Sequence, residues 1–174
     1  MDYRKASLAQ LNYISRHTEW APEANKELVR RIDWRIRQMI QFTVYGEPVA
    51  QGRPRATTIN GKVRMYDPEK SKSFKEYVKL VASQNRPSQL ITGPIVLSVI
   101  VFKPTLKSFS KKKALEAENG GLRPITKPDV DNYVKGIKDA LKSVIWKDDS
   151  QVVDLQVSKY YSQNPRVEIT IQQL

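Results

Sequence analysis

Residues 127–151, KPDVDNYVKGIKDALKSVIWKDDSQ, set a pair of aspartates at each end of a short lysine-rich stretch. Asp129 and Asp131 are two residues apart, so in an extended backbone their side chains project to the same side. Such a pair can ligate a cation, or either residue can act as a helix N-cap. Lys135 follows Asp131 by one helical turn, within reach of whatever that carboxylate binds. The same spacing also fits i,i+4 surface ion pairs, worth on the order of tenths of a kcal/mol. Asp148 and Asp149 form the second pair, either an acidic turn or part of the same site.

The element that must position these groups is a helix over residues 129–146. Pro128 disfavours helical geometry at Lys127, so the helix begins after it. On a helical wheel Val130, Val134, Ile137, Leu141 and Val144 gather in one apolar stripe. Asp131, Lys135, Lys138, Asp139 and Lys142 take the opposite side. At 1.5 Å per residue the Asp148–Asp149 pair falls about 20 Å from Asp131. Asp149 therefore joins the first pair only if its loop folds back or if the pairs meet across a subunit boundary.

Around that helix the sequence predicts a mixed α/β (α+β) domain over residues 40–174. Its central mixed sheet carries helices mainly on one face. QFTVYGEPV alternates as a strand, and RPRATTINGKVRMY reads as two short extended runs around an ING turn. DPEKSKSFKEYVKLVASQ reads as a helix with Asp67 as cap, Pro68 in its first turn, and a stripe of Phe74, Tyr77, Val78 and Val81. GPIVLSVIVFKP is nearly continuous in apolar residues and predicts a central strand covered on both faces. The stretch from Pro104 to Pro128, with a lysine run, Gly-Gly and several prolines, reads as a mobile loop. SQVVDLQVSKYY and RVEITIQQL read as a closing antiparallel pair. Residues 1–39 read as an appended helical extension, with Leu28, Ile32, Ile36 and Met39 on a docking stripe.

Composition narrows the function. The 174 residues carry 30 Lys and Arg against 18 Asp and Glu, a formal charge of +12 that favours polyanion partners through counterion release. Nucleic acid is the expected partner, ahead of an anionic membrane. With no cysteine, a disulfide framework, thiolate zinc sites and cysteine nucleophiles are excluded. The single histidine, His17, is assigned no role. No apolar leader or membrane-length run occurs, and a cytoplasmic location without membrane association is expected.

PDVDNYVKGIKDAL followed by IWKDDSQVVD resembles the RusA family of Holliday-junction resolvases. The matching elements are Asp129, Asp131, Asn132, Lys135, Asp139-Ala140-Leu141, and Asp148-Asp149 with Gln151-Val152. GEPVAQGRPR and MYDPEKSKSFKEYV resemble the amino-terminal part of phage-type members, so the likeness covers about Ile40 to Leu174. Lys127-Pro128 stands where some members carry an arginine cluster, and residues 1–39 have no counterpart in the minimal domain. The resemblance implies a homodimeric endodeoxyribonuclease that cuts two opposed strands of a four-way junction, leaving 5′-phosphate and 3′-hydroxyl ends. It implies Mg²⁺, with Mn²⁺ as a substitute, held by Asp129, Asp131 and Asp149, with Asp148 the weaker candidate, and no organic cofactor. Lys135 matches the family's catalytic lysine, which would stabilise charge building on phosphoryl oxygens.

Arg53, Arg55, Lys62, Arg64, the Lys111-Lys112-Lys113 run and Lys127 are the expected DNA phosphate contacts. Three other readings remain beside junction resolution. One is cutting of other branched DNA, and another is a non-catalytic architectural DNA-binding protein. The third is a nuclease anchored to a membrane or partner through Trp20 and Trp34 of the extension.

Overall fold

The computed structural model describes residues 39–59 and 62–174, the side chains of Arg55, Ile59 and Arg64 excepted. The helical extension expected before Met39, with Trp20 and Trp34, and the contacts expected of Arg55 and Arg64 lie outside the described residues. Met39 itself opens a strand.

In chain order the elements are β1 (Met39–Tyr45), β2 (Arg55–Ile59), β3 (Lys62–Tyr66), α1 (Glu69–Gln84), β4 (Ile95–Pro104), α2 (Lys111–Glu118), α3 (Val130–Leu141), β5 (Val152–Ser162) and β6 (Arg166–Gln173). A 3-10 turn at Asp149–Gln151 precedes β5. β2 and β3 form a separate antiparallel hairpin, as their sequence predicts. The other four strands form a mixed sheet in the order β1-β6-β4-β5. The architecture is the expected mixed α+β, and four particulars of the sequence reading change.

β5 and β6 do not pair. β4 lies between them, parallel to β5 and antiparallel to β6. The most apolar strand takes the position with neighbours on both edges, which a hairpin reading of the last two strands overlooks. Among the described residues β4 is also covered more closely on one face than on the other. Ile95, Leu97, Val99 and Val101 are buried, while Val96, Ile100 and Phe102 between them are only half-buried. The buried set packs with Val167, Ile169 and Ile171 of β6, Phe74, Val78 and Ala82 of α1, and Val134, Ile137 and Leu141 of α3. Each large aliphatic side chain so buried contributes about 1.5–3 kcal/mol. The stretch after β4 is not a bare loop either, because Ser110 caps α2 through Lys113 N. Three lysines in the first turn of α2 oppose the helix dipole. The helix is held instead by buried Ala117 and by Glu118, which accepts from Ser162 Oγ (2.8 Å) and Gln163 N (2.7 Å).

α3 stops at Leu141, short of the expected Trp146. Ser143 then turns at φ 64°, and Val144, Ile145 and Trp146 still enter the core through that turn. β4 and β5 are parallel, so the chain crosses from the end of one strand to the start of the other through α3. Lys127 meets Lys103 near the close of β4, and Gln151 meets the backbone of Ile91 and Gly93 just before its start. Eight residues separate Ile95 from Lys103, so these two ends lie about 26 Å apart.

Candidate functional site

The head of α3 carries Asp129 and Asp131. Asp129 occupies the N-cap position with extended backbone angles, yet its side chain makes no capping hydrogen bond. Asp131 lies exposed in the first turn. The ion pairs among the described residues are Lys75 with Asp67 and Asp139, Lys142 with Asp148, and Arg166 with Glu168. Asp129, Asp131 and Lys135 belong to none of them. Among the described residues, therefore, Asp129 makes no cap and none of the three makes a surface ion pair.

The expected cap at Asp67 is not made either. Pro68 holds that position, and Asp67 instead accepts from Lys75 Nζ and from Gln51 Nε2 (2.9 Å). Lys75 holds the Asp67 carboxyl below its ordinary range, with Gln51 and the nearby Lys135 adding to the effect against partial burial. Gln51 is placed by the arm after β1, whose backbone N donates to Asn132 O of α3 (2.8 Å). The next residue has to be glycine: a Cβ on Gly52 would lie 2.8 Å from Pro68 Cγ.

A cleft of about 750 Å³ opens beside Asp129, between this arm and α3. Arg53, Lys70, Lys103 and Lys127 line it together with Glu47, Asn132 and Tyr133. Gly46, at φ 106°, turns the chain off β1 and delivers Glu47 to the rim. Burial, then the charge of Glu47, pushes the Tyr133 hydroxyl above its ordinary value. Of the expected phosphate contacts, Arg53 and Lys127 therefore share the cleft with Asp129. Lys62 is exposed on the hairpin, and Lys111, Lys112 and Lys113 are exposed on α2. Lys113 sits over the Phe109 ring at 4.7 Å.

The tail of α3 differs. Asp148 caps the 3-10 turn through Ser150 N (3.0 Å), its other oxygen accepts from Lys142 Nζ (2.7 Å), and Gln151 completes a capping box. Lys142, then the Ser150 backbone, holds the Asp148 carboxyl far below its ordinary range. Asp149 Oδ1 accepts from the indole N–H of fully buried Trp146 (3.0 Å). Within one chain the structure does not bring Asp149 to Asp129 and Asp131, since the two pairs lie at opposite ends of the sheet. Among the described residues no three acidic or histidine side chains gather as a metal cage. Asp129 and Asp131, without an ion-pair partner among the described residues, fit Mg²⁺, which binds through one or two carboxylates and keeps several waters.

Lys103 and Lys159 were missed from the sequence. Each shares the parity of core residues on its strand, Lys103 with Leu97, Val99 and Val101, and Lys159 with Val157. A lysine on the core-facing parity at a strand's end was the available signal.

Among the described residues no helix is long and apolar enough to cross a membrane. Comparison with known proteins agrees with the motif. The chain is 66% identical over 137 residues to the Bacillus subtilis (strain 168) protein "Uncharacterized protein YqaN", covering 78% of this chain and 96% of that one. It is 25% identical over 134 residues to "Crossover junction endodeoxyribonuclease rusA" of Lactococcus phage r1t, covering 75% and 94%. Residues 45–172 match the family described as endodeoxyribonuclease RusA, and the chain belongs to that family of nucleases.

Proposed function

We propose that this chain is a Mg²⁺-dependent endonuclease that resolves four-way DNA junctions as a homodimer. Residues 40–174 would form the nuclease domain and residues 1–39 an extension to it. The observation that carries the reading is the head of α3: Asp129 lines a cleft with Arg53, Lys70 and Lys127, and Asp129, Asp131 and Lys135 have no ion-pair partner among the described residues. Bound there by Asp129 and Asp131, Mg²⁺ (or Mn²⁺) would polarise the phosphodiester and lower the pKa of the attacking water.

The chain's own groups supply the rest. Arg53 and Lys127 draw the phosphate backbone into the cleft, and Lys62 and Lys111–Lys113 extend the basic surface for the arms of the junction. Lys135, one turn beyond Asp131, stabilises charge building on the phosphoryl oxygens. Asp149 completes the ligand set from the second subunit, because its own chain holds it at the far end of α3. Asp148, with both oxygens occupied by Ser150 and Lys142, is the weaker ligand.

Cleavage of synthetic four-way, three-way and linear duplex DNA with Mg²⁺ tests the reading. The four-way junction is cut fastest, with paired nicks. Equal rates on all three substrates would replace resolution with general nuclease action. Unchanged behaviour of Asp131→Asn would favour the architectural reading, since the Asp131 charge would then serve no cutting.

A further inference from the structure

The backbone that delivers the two aspartates is tied to the sheet by lysines. Lys159 Nζ of β5 donates to Thr126 O (3.1 Å) and Pro128 O (3.0 Å). Lys103 Nζ of β4 donates to Lys127 O (3.0 Å). Three successive carbonyls, those just before Asp129, are thus held by two ammonium groups from adjacent parallel strands. The register sets Val101 opposite Lys159, so both lysines issue from the helix-bearing face of the sheet.

The same segment is tied from the other face. The Arg123 guanidinium lies 3.6 Å from the centroid of the Tyr160 ring, and its Nε donates to Lys159 O (2.6 Å). Tyr160 stacks on Phe102, which carries Arg166 on its far side at 3.7 Å. Between Arg123 and Pro128 the chain passes from the Tyr160 face of the sheet to the face that bears α1 and α3.

Two like charges placed side by side need a reason. Burial pushes the Lys103 ammonium below its ordinary range and Lys159 adds to that, while Glu47 opposes it. Each donor spent on the loop is lost to DNA, and Lys159 spends two of its three there and Lys103 one. Their stems lie along the sheet and their heads reach the loop, so the pair anchors backbone.

Resting on the nuclease reading above, we infer that Lys103 and Lys159 are positioning residues. They fix the carbonyls of residues 126–128 and thereby set where Asp129 and Asp131 stand. Reacting groups must be held to within about 0.5 Å, and a displacement of about 1 Å can cost about 100-fold in rate.

The test compares Lys159→Met, Lys103→Met and Lys159→Arg in the full chain. Two readouts are needed, amide hydrogen exchange and single-turnover cleavage with junction affinity measured separately. Lys159→Met loses two of the three bonds. It should speed exchange across residues 122–133 with the core strands unchanged, and slow cleavage by about 10- to 100-fold while affinity shifts less than about threefold. Lys103→Met, losing one bond, should show the smaller effect of the same kind, and Lys159→Arg should restore most of the rate. Unchanged exchange in Lys159→Met would overturn the anchoring role. Loosened exchange with an unchanged rate would overturn its catalytic consequence. A matched loss of affinity and of salt dependence would make Lys159 a phosphate contact instead. A wild-type chain that cuts no DNA with Mg²⁺ or Mn²⁺ would overturn the nuclease reading, and exchange would still decide the anchoring.

Discussion

At the head of α3, Asp129 and Asp131 face solvent without an ion-pair partner among the described residues. At its tail, Asp148 and Asp149 are enclosed by Lys142, Ser150 and the Trp146 indole. The two pairs look alike in composition and have opposite local uses. The tail shows what aspartates do when a fold employs them: they close a turn and satisfy a buried donor. The head shows carboxylates withheld from a cap that the backbone offers. In a chain of charge +12, with lysine and arginine at hand, that leaves both carboxylates available to the metal proposed above.

Replacing Asp131 by Asn gives the largest expected effect. Cutting of a four-way junction in Mg²⁺ falls by about 100-fold or more, as when a group acting on developing charge is lost. Unfolding free energy moves by no more than about 0.5 kcal/mol, the usual range for an exposed site. Junction binding persists or tightens, since a charge repelling phosphate is gone. A large loss of stability would erase the contrast between head and tail.

Mixing subunits sharpens the comparison next. If Asp149 serves the other subunit's aspartates, a dimer of one Asp131→Asn and one Asp149→Asn chain keeps one intact site and nicks one strand. If each chain builds its own site, both sites in that dimer are dead. Single nicks on a labelled junction, scored with co-expressed, differently tagged chains, read this directly.

How far these features were legible varies by residue. Periodicity exposed the stripe Val134–Ile137–Leu141 because helix burial repeats on one face. The spacing of Asp129, Asp131 and Lys135 was visible for the same reason. Strand order was not visible, since nothing local to SQVVDLQVSKYY or RVEITIQQL reveals that β4 inserts between them. The end of α3 was hidden because Val144 and Trp146 continue the apolar spacing while Ser143 turns left-handed. Lys103 and Lys159 needed the register of two distant strands before their common target at residues 126–128 could be seen.

At the tail, Asp149→Ala removes the acceptor of a fully buried indole N–H. Leaving such a donor unsatisfied costs about 1–3 kcal/mol. Asn retains an acceptor oxygen and should lose less than half of that. Denaturant unfolding of the two variants separates the structural duty of Asp149 from its proposed metal duty, because both variants should lose cutting while only Ala loses the fold's support.

The smallest effect concerns Asp148. Its folded carboxyl titrates below the ordinary range because of Lys142 first and the Ser150 backbone next, and Asp148 in turn raises the Lys142 ammonium. A depressed acid contributes stability that is present above its unfolded pKa and lost as pH falls through the folded value. A raised base contributes stability that is present below its unfolded pKa and lost as pH rises through the folded one. The pair therefore helps most between about pH 5 and pH 9 and fades on the acid side below about pH 4. Asp148→Asn keeps the cap on Ser150 but removes the charge. The difference in melting temperature between wild type and this variant should be flat across that window and shrink below it. Both side chains are exposed, so added salt should shrink it as well. The head offers the control: Asp131→Asn removes a charge that has no ion-pair partner among the described residues. An equal shift from both variants would mean that general charge repulsion, and not the Asp148–Lys142 pair, sets the acid limb.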